Sequence, residues 1–135
     1  MSTILVNTLT GTSTAGSIAV TGEGNSTTTN LQNGLAKAWV NFDGSGTIAT
    51  RDSFNVSSLN DDGTGKYDVV ITNNMTNNDY AVSAGGAYDT SDSSADTMPS
   101  SRRIDLSTSE FGIRSGLGSF VDSSFVFANI HGDLA

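Results

Sequence analysis

The sequence predicts an all-β protein: an antiparallel, jelly-roll-like β-sandwich preceded by a short N-terminal strand arm. Three observations predict it. Ser, Thr, Asn, Asp and Gly fill much of the chain, with 15 glycines in 135 residues, and polar side chains of this kind compete with a helical backbone for its hydrogen bonds. Apolar residues alternate with polar ones in short runs, the period of a half-buried strand. Turn signals recur about every ten residues, the spacing of sandwich strands.

Residues 1–34 form the arm and residues 35–135 the sandwich domain. In the arm, Ile4 and Val6 alternate with Leu5 and Asn7, which predicts a short strand over residues 3–9. Residues 11–16 read as a turn, Ile18 and Val20 as a second short strand, and residues 22–33 as a polar loop. An isolated two-stranded hairpin is marginal in water, so the arm is expected to pack on its own domain, a sister subunit or a docking protein.

The pattern sharpens at residues 35–46, LAKAWVNFDGSG. Ala36, Ala38, Val40 and Phe42 point to one face, Lys37 and Asn41 to the other, with Trp39 beside them. A glycine turn follows at residues 43–46, then a short strand over residues 47–50. Residues 54–72 read as a β-hairpin around the turn NDDGTG, because Asp-Gly supplies positive φ at little cost. Residues 73–78, NNMTNN, are another turn, and Tyr80, Val82 and Ala84 begin the next strand. Residues 85–101 are acidic, serine-rich and contain Pro99, the marks of a surface loop. Residues 102–107, 111–115 and 120–130 supply the last strands. In the last, Phe125, Phe127 and Asn129 share one face and Val126, Ala128 and Ile130 the other, which suits a central strand or one at a subunit contact.

The charge narrows the function classes. A formal charge of −8 and a pI near 4.1 argue against nucleic acid, where neutralising phosphates dominates binding, and against an anionic membrane surface. With no cysteine, disulfides and thiolate metal sites are excluded. The N-terminus lacks the basic and apolar regions of a secretory signal, and no stretch reaches the ~18 apolar residues of a membrane span. These features predict synthesis in the cytoplasm and no membrane insertion.

Residues 36–42 followed by a glycine turn, residues 51–58, the segment Asp62, Gly63, Thr64, Gly65, residues 67–72 and residues 80–82 occur in an order that resembles a module of virion proteins. The opening MSTILVNTLTG is similar to the short N-terminal strand of many such proteins, and residues 125–133 to their closing strand. The family is the tail-fibre-like proteins of marine tailed phages, those of the cyanophage and pelagiphage type. The resemblance covers residues 1–10, 35–84 and 120–133. It implies a homotrimeric β-sandwich on the phage particle surface, acting in attachment to the host. Residues 1–34 would then dock to other virion proteins or knit the trimer.

Candidate contact residues follow from this reading. Loops held on a rigid scaffold are where recognition usually lives, which selects Asp61, Asp62, Asn74, Asn77, Tyr88, Asp89 and Asp92 as candidates for contact with a host surface glycan or protein. Trp39, Phe42, Phe54, Tyr67, Phe125 and Phe127 are candidates for packing or subunit interfaces. Trp39, Tyr67, Tyr80 and Tyr88 are candidates for a sugar-stacking platform; Trp39 and Tyr67 lie inside the best strands, so packing is the reading favoured for them, and Tyr88, at the edge of the loop, is the better ligand candidate. Asp61, Asp62 and Gly63 lack the spacing and bidentate Glu of a calcium loop. Asp89, Asp92 and Asp96 read as a solvated acidic loop. His131 is the only histidine, so neither a zinc site nor a triad can be built around it, and it reads as a strand-end residue. Arg51 and Asp52 are expected to pair with neighbours across a subunit contact, and one of Arg102 and Arg103 to meet Asp105 or an acidic loop while the other is exposed. Glu23 and Glu110 are the only glutamates and make no glycosidase pair. The glycosylation patterns at Asn25 and Asn55 carry meaning only on a secretory route. No metal, cofactor or catalytic residue is expected. The alternative to a tail fibre is a capsid decoration protein that stabilises the head.

Overall fold

Alternation becomes structure where the sequence is most regular. The computed structural model describes residues 3–12, 18–22, 27–87, 105–116 and 119–134. It divides into two compact units, Met1–Leu35 and Ala36–Ala135. All sheets are antiparallel, and the fold is all-β and sandwich-like with no closed barrel among the described residues.

In the first unit, β1 (Ala19–Thr21) pairs with β2 (Thr28–Asn30), and one turn of helix, α1 (Leu31–Gly34), follows. The Asn30 side chain caps that turn by accepting from the Asn33 N–H at 3.1 Å, the usual way to satisfy a free helix-end donor. Two sequence expectations change here. No strand forms over residues 3–9, whose side chains are all exposed and so have no buried face to reward pairing. Residues 22–33 hold β2 and the start of α1 rather than a continuous loop, because Asn30 offers a cap that a polarity reading does not weigh.

The second unit has two sheets. One has the order β4-β3-β9-β7, from β3 (Ala38–Asp43), β4 (Ala49–Phe54), β7 (Ala81–Ala87) and β9 (Phe125–His131). The other has the order β5-β6-β8, from β5 (Val56–Asp61), β6 (Lys66–Ile71) and β8 (Glu110–Arg114). Their inner faces supply one core: Ala38, Val40 and Phe42 from β3 and Val126, Ala128 and Ile130 from β9 meet Tyr67, Val69, Ile71, Phe111 and Ile113. Fully burying a side chain of this size contributes about 1.5–3 kcal/mol. Phe42 and Tyr67 meet edge to face with centroids 5.1 Å apart, a geometry that the ring quadrupoles favour. The last strand is interior to its sheet, as its two apolar faces predicted.

Tyr67 ties the sheets together at one end. Its hydroxyl donates to the Gly44 carbonyl at 3.1 Å and accepts from the Ser123 N–H at 3.1 Å. Burial is the main reason its pKa is pushed up to about 12. Asp122 accepts from the Gly65 N–H at 2.7 Å beside it, and Gly65 adopts a φ of 63° that only glycine takes freely. The buried hydroxyls of Ser115 and Ser123 satisfy each other.

The hairpin around NDDGTG forms, but it starts later than predicted. Phe54 closes β4 in one sheet, Val56 opens β5 in the other, and Asn55 between them has a φ of 57°. Asparagine tolerates that conformation better than most residues because its side chain bonds locally. Its Nδ2 donates to the Lys37 and Asn73 carbonyls at 2.9 and 3.3 Å, and its Oδ1 accepts from the Asn73 N–H at 2.8 Å. The short strand expected over residues 47–50 instead begins at Ala49 and runs on to Phe54. Residues 120–124 lie outside β9, and residues 85–87 belong to β7. Lys37, expected to face outward, is buried before β3 begins, with 4% of its surface exposed.

Candidate functional site

The two outer faces of the sandwich differ in chemistry. On the three-stranded sheet the register places Asn60, Asp68 and Gly112 in one row, Ser58, Val70 and Glu110 in the next, and Lys66 beside Arg114. This is an ordinary solvated face. Arg114 donates to Asp68 at 3.2 Å and lies 3.6 Å from Asp105, the partner expected for Arg102 or Arg103; those two arginines lie outside the described residues. Burial and the neighbouring Asp62 carboxyl raise the pKa of Asp68 against the pull of Arg114.

The outer face of the four-stranded sheet carries almost no charge at its centre. Trp39 stands opposite Asn129, and Asn41 opposite Phe127, so aromatic rings and amides alternate as a checkerboard over β3 and β9. Phe54 extends the Trp39 row on β4. Trp39, Phe54 and Phe127 are 36%, 53% and 55% exposed. On the other side, β7 presents small residues to the same face: Ser83 is paired with Asn129 and Gly85 with Phe127. The Phe127 ring lies over Gly85, where an added Cβ would sit 2.6 Å from its Cζ. An open cavity of about 390 Å³ is lined by Trp39, Asn41, Ser83, Phe127 and Asn129 among others.

At the floor of this face the amide oxygens of Asn41 and Asn129 are buried and accept no hydrogen bond from the described residues. A buried acceptor left unpaired costs about 1–3 kcal/mol, and native folds carry few of them. The face therefore combines exposed large rings over β3 and β9, charge confined to the β4 side where Asp52 stands beside Asn41, and two unpaired amide oxygens sealed beneath it.

One rim is charged. A bulge in the β3–β4 ladder leaves Arg51 without a cross-strand partner, and bulges commonly re-aim a side chain. Arg51 reaches Asp43 at 3.0 Å and lies 4.3 Å over the Phe125 ring. Arg51, expected to pair across a subunit contact, thus has an acidic partner within the chain. Hydrogen bonds from the Ser45 hydroxyl and N–H, with Arg51 behind them, hold the Asp43 carboxyl below its usual pKa.

The sequence-derived contact candidates do not gather. Asp61 and Asp62 sit at the β5–β6 turn, whereas Asn74 and Asn77 follow the far end of β6. Six residues of strand separate these loops, roughly 20 Å at ~3.4 Å per residue. Tyr88, Asp89 and Asp92 lie outside the described residues, as does Asp96. The aromatic candidates divide in two: Phe42 and Tyr67 are core, while Trp39, Phe54 and Phe127 share the outer face and Phe125 its rim. Tyr80 is buried with its hydroxyl donating toward the Ser107 and Glu110 carbonyls at 2.9 and 3.0 Å, so Trp39, Tyr67 and Tyr80 form no common sugar platform. His131 ends β9 opposite Ala81. Asn41 and Asn129 are the residues the sequence reading missed. Alternation placed each away from the core, but nothing local shows that positions 88 apart meet on one face.

Among the described residues no group of three or more His, Cys, Asp or Glu side chains is arranged to hold a metal, and no helix is long and apolar enough to cross a membrane. The chain matches no protein family, no curated protein and no solved structure in the three comparisons made.

Proposed function

We propose that this chain is a structural protein of a tailed-phage particle, of the tail-fibre or fibre-tip type, that assembles as a homotrimer and acts in attachment to the host surface rather than as an enzyme. The observation that carries the reading is the contrast between the faces of the sandwich. One sheet is charged and suited to water, and the other presents an aromatic and amide surface over β3 and β9, with its charged residues Asp43, Arg51 and Asp52 toward the β4 side. The resemblance over residues 1–10, 35–84 and 120–133 supports the same reading. In it, the first unit docks to other virion proteins, and the exposed loops at the ends of the sandwich meet a host glycan or protein. Many weak contacts would then be multiplied by the three copies.

Quantitative mass spectrometry of purified particles tests this. A few tens of copies per particle is the expected result. Hundreds would make it a capsid decoration protein, and absence from the particle would overturn both readings.

A further inference from the structure

We infer that the Asn33–Gly34 step is a self-modification site, where the chain converts its own asparagine to isoaspartate and aspartate through a cyclic imide, with release of ammonia. The inference stands apart from the phage reading and calls for no partner and no enzyme.

The reaction needs an Asn or Asp side chain followed by a backbone nitrogen that can reach it. Glycine leaves that nitrogen least shielded, having no Cβ and the widest choice of φ and ψ. The sequence holds three such pairs: Asn33–Gly34, Asp43–Gly44 and Asp62–Gly63.

The structure separates them. At Asp43 both carboxyl oxygens are engaged, one by the Ser45 N–H and hydroxyl at 2.9 and 2.6 Å, the other by Arg51 at 3.0 Å. These bonds favour the ionised carboxylate, which is a poor electrophile, and the Gly44 N–H is tied to the Ser123 carbonyl at 2.9 Å. At Asp62 the turn is closed on both sides. The Gly63 N–H donates to the Asp61 carboxylate at 2.9 Å, and the Gly63 carbonyl accepts from the Lys66 N–H at 2.8 Å.

Asn33 lacks these restraints. Asn33 and Gly34 are exposed, and a Cβ built on Gly34 would meet nothing within 4 Å. The Asn33 side-chain amide has no hydrogen-bond partner among the described residues. Only α1 holds the backbone there, one turn long and closed by a 3.3 Å bond from the Leu35 N–H to the Gln32 carbonyl. Helices shorter than ~12–15 residues are marginal by themselves, so this turn opens readily and frees the Gly34 nitrogen. The neutral Asn amide also reacts without first taking up a proton, which a carboxylate must do to lose water.

The chemistry balances with water alone. The Gly34 nitrogen bonds to Asn33 Cγ, the Cγ–Nδ2 bond breaks, and the displaced nitrogen leaves as ammonia with the Gly34 proton. Water then opens the ring. Opening at Cγ restores the ordinary backbone with an aspartate side chain, and opening at the main-chain carbonyl routes the backbone through Cβ and Cγ as isoaspartate. Either product adds a negative charge. The isoaspartate backbone is longer by a methylene, so it does not fit the regular helical hydrogen-bond spacing and α1 does not reform.

Peptide mapping by mass spectrometry tests this on the full chain, kept folded in mildly alkaline buffer and, in parallel, unfolded in urea. Asn33 is expected to lose its amide ahead of every other asparagine, with both isoaspartate and aspartate appearing. Its rate in the folded chain should lie within about tenfold of its rate in urea, whereas Asp43 should isomerise only in urea. Gly34→Ala is expected to slow the conversion about tenfold in both conditions, with far-UV circular dichroism unchanged. An Asn33 that converts in urea but stays intact in the folded chain would overturn the inference. So would aspartate without isoaspartate, which means direct hydrolysis, or Asp43 or Asp62 reacting ahead of Asn33 in the folded chain.

Discussion

At the scale of single residues, the account turns on Tyr67. Its ring fills the core beside Phe42, and its hydroxyl joins the loop after β3 to the segment before β9. Tyr67→Phe leaves the buried Ser123 N–H without that acceptor, and is expected to cost about 1–3 kcal/mol in chemical denaturation. Gly44 is equally constrained, since an added Cβ would sit 2.5 Å from the Tyr67 Cζ and Oη. Gly44→Ala is therefore expected to destabilise by about 1–3 kcal/mol, the usual cost of overpacking. Alkaline pH tests the same network. Burial pushes Tyr67 and Tyr80 up to about 12 from an ordinary 10.0. Below pH 10 the folded and unfolded chains both keep these protons, and stability is full. Between pH 10 and about 12 the unfolded chain releases them while the folded chain holds them, so stability falls as pH rises. Thermal melts should be flat in this contribution up to about pH 9 and decline above pH 10, with Tyr67→Phe showing a shallower decline. An unchanged decline would place the alkaline sensitivity elsewhere.

At the scale of elements, the turn at Asn55 decides how the chain passes from one sheet to the other. Residues 54–72 read as one hairpin because Phe54 and Val56 fit a common alternation, and period alone cannot show a corner inside a regular run. The corner comes from Asn55, whose positive φ and bonds to Lys37 and Asn73 are invisible locally, the partners being 18 residues away on either side. Asn55→Ala loses those bonds and keeps the strained φ, so it should destabilise by about 2–4 kcal/mol. Asn55→Gly relieves the backbone and should cost less. Equal losses in denaturant melts would mean that the φ is not strained. By contrast β3 and β6 were legible to within about two residues at each end, and β9 over residues 125–130 though not in its start, because alternation, β-branching and flanking turns agree there. The arm was less legible. Ile4 and Val6 alternate as a strand would, yet without a buried face nothing rewards the pairing, while β2 is carried by Thr28 and Thr29 in a stretch that polarity alone reads as loop.

At the scale of the whole molecule, the difference between the two outer faces dominates. It was half legible: Trp39 and Phe127 stood out as packing or interface residues, and alternation put Asn129 with Phe127. The missing half was the register that sets β3 against β9, which pairs Trp39 with Asn129 and Asn41 with Phe127 and turns four separate residues into one surface. The loop residues chosen for receptor contact were legible as turns but not as a site, since Asp61 and Asn74 flank opposite ends of β6. The central claim is that the chain is a tail-fibre-type protein of a phage particle. A cryo-EM map of the particle carrying this chain tests it most directly. The account predicts density in threefold sets on the tail. Density spread over the capsid lattice would contradict it.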